Sequence, residues 1–579
     1  MGRVRQLSPI AACSVPALLS VGLATFGFLD IVRQNTQPQL SFLGPASLLL
    51  AWSGVVWKRA CDREGGLRLG FACRPQHYVQ AITQATFLGY WGWYWSPLYE
   101  STFLIGAQLA FAYAFDMLLG WTRRRVYTLG FGPVPVVLSI NLFLWFADDW
   151  FYLQFLLVAL GFAAKEFILW EKDGRQTHVF NPSSFPLAVF SVALILTGTS
   201  DLTWGQDIAT TQFYPPHVYV VLFFIALPGQ LLFGVTTMTM SAVATTYLFS
   251  LVYFASTGVY FFYDAHIPIA VFLGMHLLFT DPSTAPRTEL GRLMFGVLYG
   301  ISTVGLYAGL SGAGIPPFYD KLLQVPILNL SIRRLDQLAA RVEAPRRTES
   351  GGEPGWQGAV RKYIGYVRPR RNVVQAGFSA ARMQPGFCHG LLARVSGVDG
   401  QGLARSRWRL ASIGAWAVFF AIMMVTQGVG DRHPGQWVPF WQQACDEERP
   451  GACRYVEDMQ LRLCDNGAGW SCNEAAVMRV GQTARMENES GGIATAAAAR
   501  LFERGCQRGF QPACANRTRL GASLTLARAT PTLDDYPIIL RGSKGPVTGQ
   551  TPAALYAMAC GQGWAEACDR DAREPSDAR

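Results

Sequence analysis

The stretch "FNPSSFPLAVFSVALIL" (180–196) runs a polar turn with two prolines straight into an apolar segment. It has an echo in "TDPSTAP" (280–286), which precedes "GRLMFGVLYGISTVGLYAGL" (291–310). Asn and Asp are favoured helix N-caps and Pro is favoured at the first helical position, so Asn181-Pro182 and Asp281-Pro282 each read as a helix start. Pro186 and Pro286 lie four residues beyond Pro182 and Pro282 and cannot donate to their carbonyls, so both first turns should be opened. Such openings are costly in lipid and are tolerated where protein, water or a ligand satisfies the freed groups.

The surroundings are those of a membrane chain. Of 579 residues, 51% are hydrophobic and only 15% charged, too apolar for an ordinary soluble protein of this length. A bilayer crossing takes about 20 apolar residues. Candidates lie near 9–31, 39–57, 79–97, 101–121, 128–147, 150–170, 186–199, 217–236, 241–262, 266–280 and 292–311, with a weaker one near 312–330. The first is read as an anchor, since its apolar run is long and lacks a small-x-small cleavage site. Lys58, Arg59, Arg63, Arg68 and Arg74, then Arg123, Arg124 and Arg125, then Lys172 and Arg175 fall in loops after an even number of crossings. The positive-inside rule makes those loops and the N-terminus cytoplasmic. The expected fold is all-α: a polytopic membrane bundle of about 10–12 spans over 1–330, a basic cytoplasmic linker over 331–409, one further span at 410–429, and an extracytoplasmic domain over 430–579. The implied location is a bacterial inner membrane, with the C-terminal domain in the periplasm. The net charge of +10 is explained by the inner loops, and no nucleic-acid-binding motif is present.

Eight of the twelve cysteines form four pairs of one spacing: Cys445/Cys453, Cys464/Cys472, Cys506/Cys514 and Cys560/Cys568. On a continuous helix such partners stand about 12 Å apart, beyond the roughly 7 Å Cα limit of a disulfide. A turn must therefore lie between them, and Pro450-Gly451, Gly467/Gly469, Gly509/Pro512 and Gly561/Gly563 supply it. Each pair then staples the end of one helix to the start of the next. Zinc-type spacing is absent, and disulfides agree with an oxidising exterior. Cys13, Cys61, Cys73 and Cys388 are read as free thiols.

Two resemblances add to this. "TAAAARLFERGCQRGFQPACANRTRLG" (495–521) and "TPAALYAMACGQGWAEACDR" (551–570) resemble cysteine-stapled Sel1-like repeats, relatives of the tetratricopeptide repeats; the likeness implies an α-solenoid that binds a periplasmic protein. "HVFNPSSFPLAVFSVALIL" (178–196) and "HLLFTDPSTAPRTELGRLMFGVLYGISTVGLYAG" (276–309) resemble the RnfD/NqrB family of membrane electron-transfer subunits, and look closer still to its enediyne-biosynthesis membrane relatives. That resemblance implies a helical bundle holding flavin, in contact with membrane lipid and with other membrane or redox subunits. It makes Asn181, Pro182, Ser183, Thr280, Asp281, Ser283 and Thr284 the expected contacts of a noncovalent riboflavin or FMN, whose ring offers acceptors and an N–H donor.

One departure bears on this. The family's outer-side Ser-Gly-Ala-Thr signature for covalent FMN is missing; "SDLTWGQDIATTQFYPP" (200–216) stands in its place, and the residues before Thr210 and Thr211 are wrong for attachment. Covalent FMN is therefore not expected. His217, His266 and His276 lack the repeated spacing of a haem site, and no hydrolase triad, phosphate loop or metalloprotease motif is present. Two other classes stay open: a small-solute transporter or channel built on the same bundle, and a membrane-anchored scaffold whose repeats alone matter.

Overall fold

The computed structural model describes residues 5–343 except 34, 63–65, 173–174, 213–214, 216 and 263–264, then 400–427, and 438–520 except 450, 466–468 and 486–490. The chain is mostly helical. Among the described residues, five helices are long and apolar enough to cross a membrane by length and composition: Pro9–Phe26, Thr36–Cys61, Thr102–Arg124, Thr236–Thr257 and Glu289–Gly312. Shorter apolar helices include Ser184–Thr197 and Val218–Phe233. Their limits follow local chemistry. Ser8, Asn35 and Thr288 accept hydrogen bonds from the amides of Ala11, Gln37 and Gly291, while Gly198, Gly234 and Gly258 close helices in left-handed conformations.

Sequence and structure differ at three places. The all-α expectation misses five short strands: Arg5–Leu7, Leu67–Phe71 and Val126–Leu129 form one sheet, and Leu169–Lys172 pairs with Arg175–His178. In the sheet, the central strand is antiparallel to the first and parallel to the third, with Leu69 opposite Tyr127. The weak candidate at 312–330 becomes a turn followed by a helix at Asp320–Glu343, because Gly314 (φ 70°), Pro316 and Pro317 belong to the turn. Thirteen residues assigned to the basic linker are thereby helical, and the rest of that linker up to 399, with Cys388, lies outside the described residues. The 266–280 candidate divides into a helix at Ile269–Leu273 and a π turn at Gly274–Leu278, closed by the Phe279 amide on the Gly274 carbonyl.

The bundle has two ends with different contents. Thr236–Thr257 measures about 33 Å. At its start Thr237 Oγ1 donates to Glu289 Oε2 (2.8 Å) and Arg292 Nη1 to the Gly234 carbonyl (2.7 Å). The same end holds the Arg175–His178 strand, where His178 meets Asp281, and Glu166, bound by Arg123 and Arg124. At the far end Arg449 Nη1 donates to the Gly258 carbonyl and Arg454 Nη2 to the Ser311 carbonyl, each at 2.8 Å. The C-terminal helices thus dock on the end remote from Asp281.

Between these ends Glu289–Gly312 lies against Thr236–Thr257 at glycine positions. A Cβ on Gly296 would stand 2.0 Å from Ser241 Oγ and 2.2 Å from the Met238 carbonyl. A Cβ on Gly300 would stand 2.8 Å from Thr245 Cβ and 2.9 Å from the Ala242 carbonyl. Small residues four apart let two apolar helices touch along their backbones.

The C-terminal helices Val438–Asp446, Ala452–Asp465, Gly469–Arg485, Gly491–Gln507 and Gln511–Arg519 form an antiparallel array. Disulfides Cys445–Cys453, Cys464–Cys472 and Cys506–Cys514, with Cα separations of 4.5, 4.6 and 4.7 Å, each join the end of one helix to the start of the next. Cys464, Cys472, Ala498, Leu501 and Phe502 share a small core. Cys560 and Cys568 lie outside the described residues. Cys13 is buried and free, and Cys61 and Cys73 are exposed and free.

Two outcomes follow. Gly296→Val should force the paired helices apart and cost at least about 1–3 kcal/mol, seen as a lower melting temperature in detergent. Cys506→Ser should destabilise the C-terminal array by about 2–5 kcal/mol and speed its proteolysis while the bundle's own melting is unchanged.

Candidate functional site

The two proline motifs meet at one end of the bundle but fold differently. In the first, Asn181 Oδ1 accepts from the amides of Ser183 (2.9 Å) and Ser184 (3.3 Å) and from Ser183 Oγ (2.8 Å), capping the helix Ser184–Thr197. The Pro182 carbonyl, which Pro186 cannot serve, packs on Gly161, where a Cβ would come within 2.3 Å of it. In the second, Asp281 caps a single 3-10 turn, Pro282–Thr284, and the long helix starts only at Glu289 under its own cap, Thr288. The reading of Asp281-Pro282 as the start of that helix is corrected here: Ala285, preceding Pro286, is extended (φ −109°, ψ 153°), as a residue before proline prefers.

A third segment joins the two. Asn329, fully buried in Asp320–Glu343, accepts from the Asn181 amide (3.2 Å) and donates to the Thr284 carbonyl (3.3 Å). Asn181 Nδ2 donates to the Leu278 carbonyl (2.8 Å), and Asp336 of the same helix accepts from the Arg287 amide (2.8 Å). Asn329 and Asp336 were not singled out by sequence. The one signal for Asn329 was a carboxamide inside the apolar run "VPILNLSI" (325–332).

The seven expected contact residues divide by exposure. Asn181, Ser183, Thr280 and Thr284 are buried, and their side chains serve internal bonds; Thr280 Oγ1 donates to the His276 carbonyl (2.7 Å) and Thr284 Oγ1 to Asp281 Oδ2 (3.1 Å). Pro182 is half-buried. Asp281 keeps 18% of its side chain exposed beside His178, 3.6 Å away, and Ser283 is exposed. Burial pushes the Asp281 carboxyl up, but the His178 ring 3.6 Å away and hydrogen bonds from the Ser283 amide and Thr284 outweigh it and hold the group below the usual range. The rim formed by Asp281, Ser283 and His178 is therefore anionic, reachable and rich in hydrogen-bonding groups.

Beside Thr280 lies a cavity of about 20 Å³ between the helices Pro75–Tyr94 and Val218–Phe233 and the π turn. Its size suits water, not a three-ring cofactor. In the short helix Gly205–Thr211, Thr211 is buried and its Oγ1 accepts from Trp91 Nε1 (3.2 Å). Among the described residues no group of three or more His, Cys, Asp or Glu side chains is placed to hold a metal.

Comparisons of the chain with protein-family models, curated proteins and solved structures found no match.

Asn329→Ala should leave the Asn181 amide and the Thr284 carbonyl unpaired and cost about 1–3 kcal/mol, read from thermal unfolding in detergent. Because the Asp281 carboxyl is held low, its stabilisation is fully present above about pH 4 and is lost as pH falls through the lowered value. Asp281→Asn should flatten that acid-side slope.

Proposed function

We propose that this chain is a membrane-embedded electron-transfer subunit that holds a noncovalent flavin at the Asp281 end, with its disulfide-stapled helices exposed on the opposite side for a protein partner. The observation that carries the reading is the meeting of the NPSSFP and DPSTAP segments through Asn329 and His178. Their text resembles the RnfD/NqrB family at that place, and the neighbouring rim is polar. The basic clusters and the disulfides lie at opposite ends of the bundle. This separation is what a cytoplasmic N-terminus and a periplasmic C-terminal domain require.

The residues at the rim fit the edge of an isoalloxazine ring. The Asp281 carboxylate accepts from a ring N–H, while the Ser283 hydroxyl and the His178 ring supply further polar contacts. Asn181, Ser183, Thr284 and Asn329 are committed inward and act by holding this turn in place. When bound, the flavin supplies one- and two-electron chemistry; the chain supplies position, polarity and exclusion of water.

A second reading, a small-solute transporter or channel, draws on the interrupted helices. Pro133–Asn141 is short and gives way to an irregular stretch, and Ile269–Leu273 runs into a π turn. Purified protein separates the two. For the first, detergent extracts should show flavin absorbance that acid precipitation releases to the supernatant, and Asp281→Asn should lower flavin content by about tenfold, the loss of one charge-assisted hydrogen bond. A colourless wild-type protein rejects the flavin reading, and pigment retained in the pellet rejects its noncovalent form.

A further inference from the structure

Three segments turn unpartnered polar atoms into the cavity beside Thr280. Gln84 uses Nε2 on Ser139 Oγ (3.1 Å), leaving Oε1 without a partner; Gln230 has neither amide atom bonded; His276 Nε2 is likewise unpaired. All three residues are at least 97% buried. His276 Nδ1 lies 2.7 Å from the Phe272 carbonyl, which can only accept, so the proton of the neutral ring sits on Nδ1 and Nε2 offers a lone pair. Orphan buried groups of this kind each cost about 1–3 kcal/mol, and a polar cavity of about 20 Å³ exceeds the roughly 10–15 Å³ that one water needs.

Gln230 also lines a second cavity of about 20 Å³, with Gly234, Thr236, Thr237 and Glu289 around it. Glu289 is 47% exposed at the inner end and pairs with Arg292 (2.6 Å). Two water-sized cavities therefore share one residue whose amide has both a donor and an acceptor free. One is lined by an exposed carboxylate, Glu289, and the other by a buried imidazole, His276.

We propose that the two cavities form a hydrated path by which a proton from the Glu289 end reaches His276. A hydronium in the inner cavity gives its proton to Nε2: one O–H bond breaks, one N–H bond forms, water remains, and Nδ1–H keeps its bond to Phe272. No lining residue of the His276 cavity is charged. Nearby ionisable groups are Glu289 and Arg292 at the mouth, and the Asp281–His178 pair beyond Thr280. The ring shares its cavity with Gln84 and Gln230 and has the rings of Phe272 (4.1 Å) and Trp416 (6.0 Å) as neighbours, and aromatic faces attract a cation. The π turn at Gly274–Leu278 sets this ring apart from regular helix spacing, as π turns at functional sites do.

The test uses the full chain with ¹⁵N-labelled histidine in detergent. Among seven histidines, His276 is assigned by its loss in His276→Phe, or by its Nδ1-protonated form if that variant does not fold. Proton exchange between water and Nε2, read from the ¹⁵N line shape of Nε2, should run about tenfold faster per unit fall in pH, as first-order dependence on hydronium requires. Gln230→Leu and Glu289→Gln should each slow it at least several-fold. In the unmodified chain Nε2 should show magnetisation transfer from water. Exchange that is independent of pH and unchanged in both variants overturns the path, as does an Nε2 with no water signal. A rise in melting temperature for Gln230→Leu would mean a dry, strained amide and overturn it too.

Discussion

Backbone groups released where helices break inside an apolar bundle must find partners in the protein, and this constraint organises the Asp281 end. Pro186 withdraws a donor from the first turn of Ser184–Thr197, while Pro286 follows the extended Ala285 and separates its 3-10 turn from the next helix. Asn181 Oδ1 takes the amides of its own turn, and one buried carboxamide, Asn329, takes the amide of one motif and serves the carbonyl of the other. The path of the Asp320–Glu343 helix, the position of the hairpin that carries His178 and the start of Glu289–Gly312 all depend on that exchange. An Ala or Leu at 329 packs as well in hydrocarbon and provides neither bond.

What the sequence made legible was set by periodicity and by strong local rules. Long apolar runs, cap residues and equal cysteine spacing each have few structural solutions, and the helices and the three described disulfides follow from them. The five strands were not legible, because "RQL" and "VYTL" are short and lie beside much stronger apolar signals. Asn329, Gln84 and Gln230 are single polar residues within apolar helices. Nothing local says whether such a residue faces a neighbouring turn or a cavity; only the tertiary arrangement does. Likewise, the Gly-Met-His-Leu-Leu stretch carries no signal for a π turn.

The opposite end is governed by charge meeting helix termini. Arg449 and Arg454 donate to carbonyls at the C-terminal ends of Thr236–Thr257 and Glu289–Gly312, where the helix dipoles are negative and the last carbonyls lack helical partners. Tyr455 adds a bond to the Phe261 carbonyl (2.9 Å), and burial pushes its phenol up to about 12. The first helix pair of the stapled array is thus held to the bundle by these three bonds. Since Cys445–Cys453 joins the two docked helices, the staple and the docking bonds fix the same turn from two sides.

The divergence of the two proline motifs bears directly on function. Both place Pro four residues after Asn-Pro or Asp-Pro, yet in the first the helix continues through it: the Phe185 amide reaches the Asn181 carbonyl (3.1 Å) and the Leu187 amide the Ser183 carbonyl (3.4 Å), bracketing Pro186. In the second, Pro286 is followed by Arg287 and Thr288, whose amides turn instead to Asp336, so the turn at Pro282–Thr284 stands alone with its carboxylate at the rim. An amide side chain suits the first role, because Asn181 must accept from its own turn and donate to the Leu278 carbonyl at once. A carboxylate suits the second, because Asp281 only accepts, from the Ser283 amide and Thr284 Oγ1 of its own turn, and stays partly exposed 3.6 Å from His178. Equal spacing therefore yields one turn that holds the junction and one that faces outward, and it is on the outward one that any ligand of this end must close its contacts.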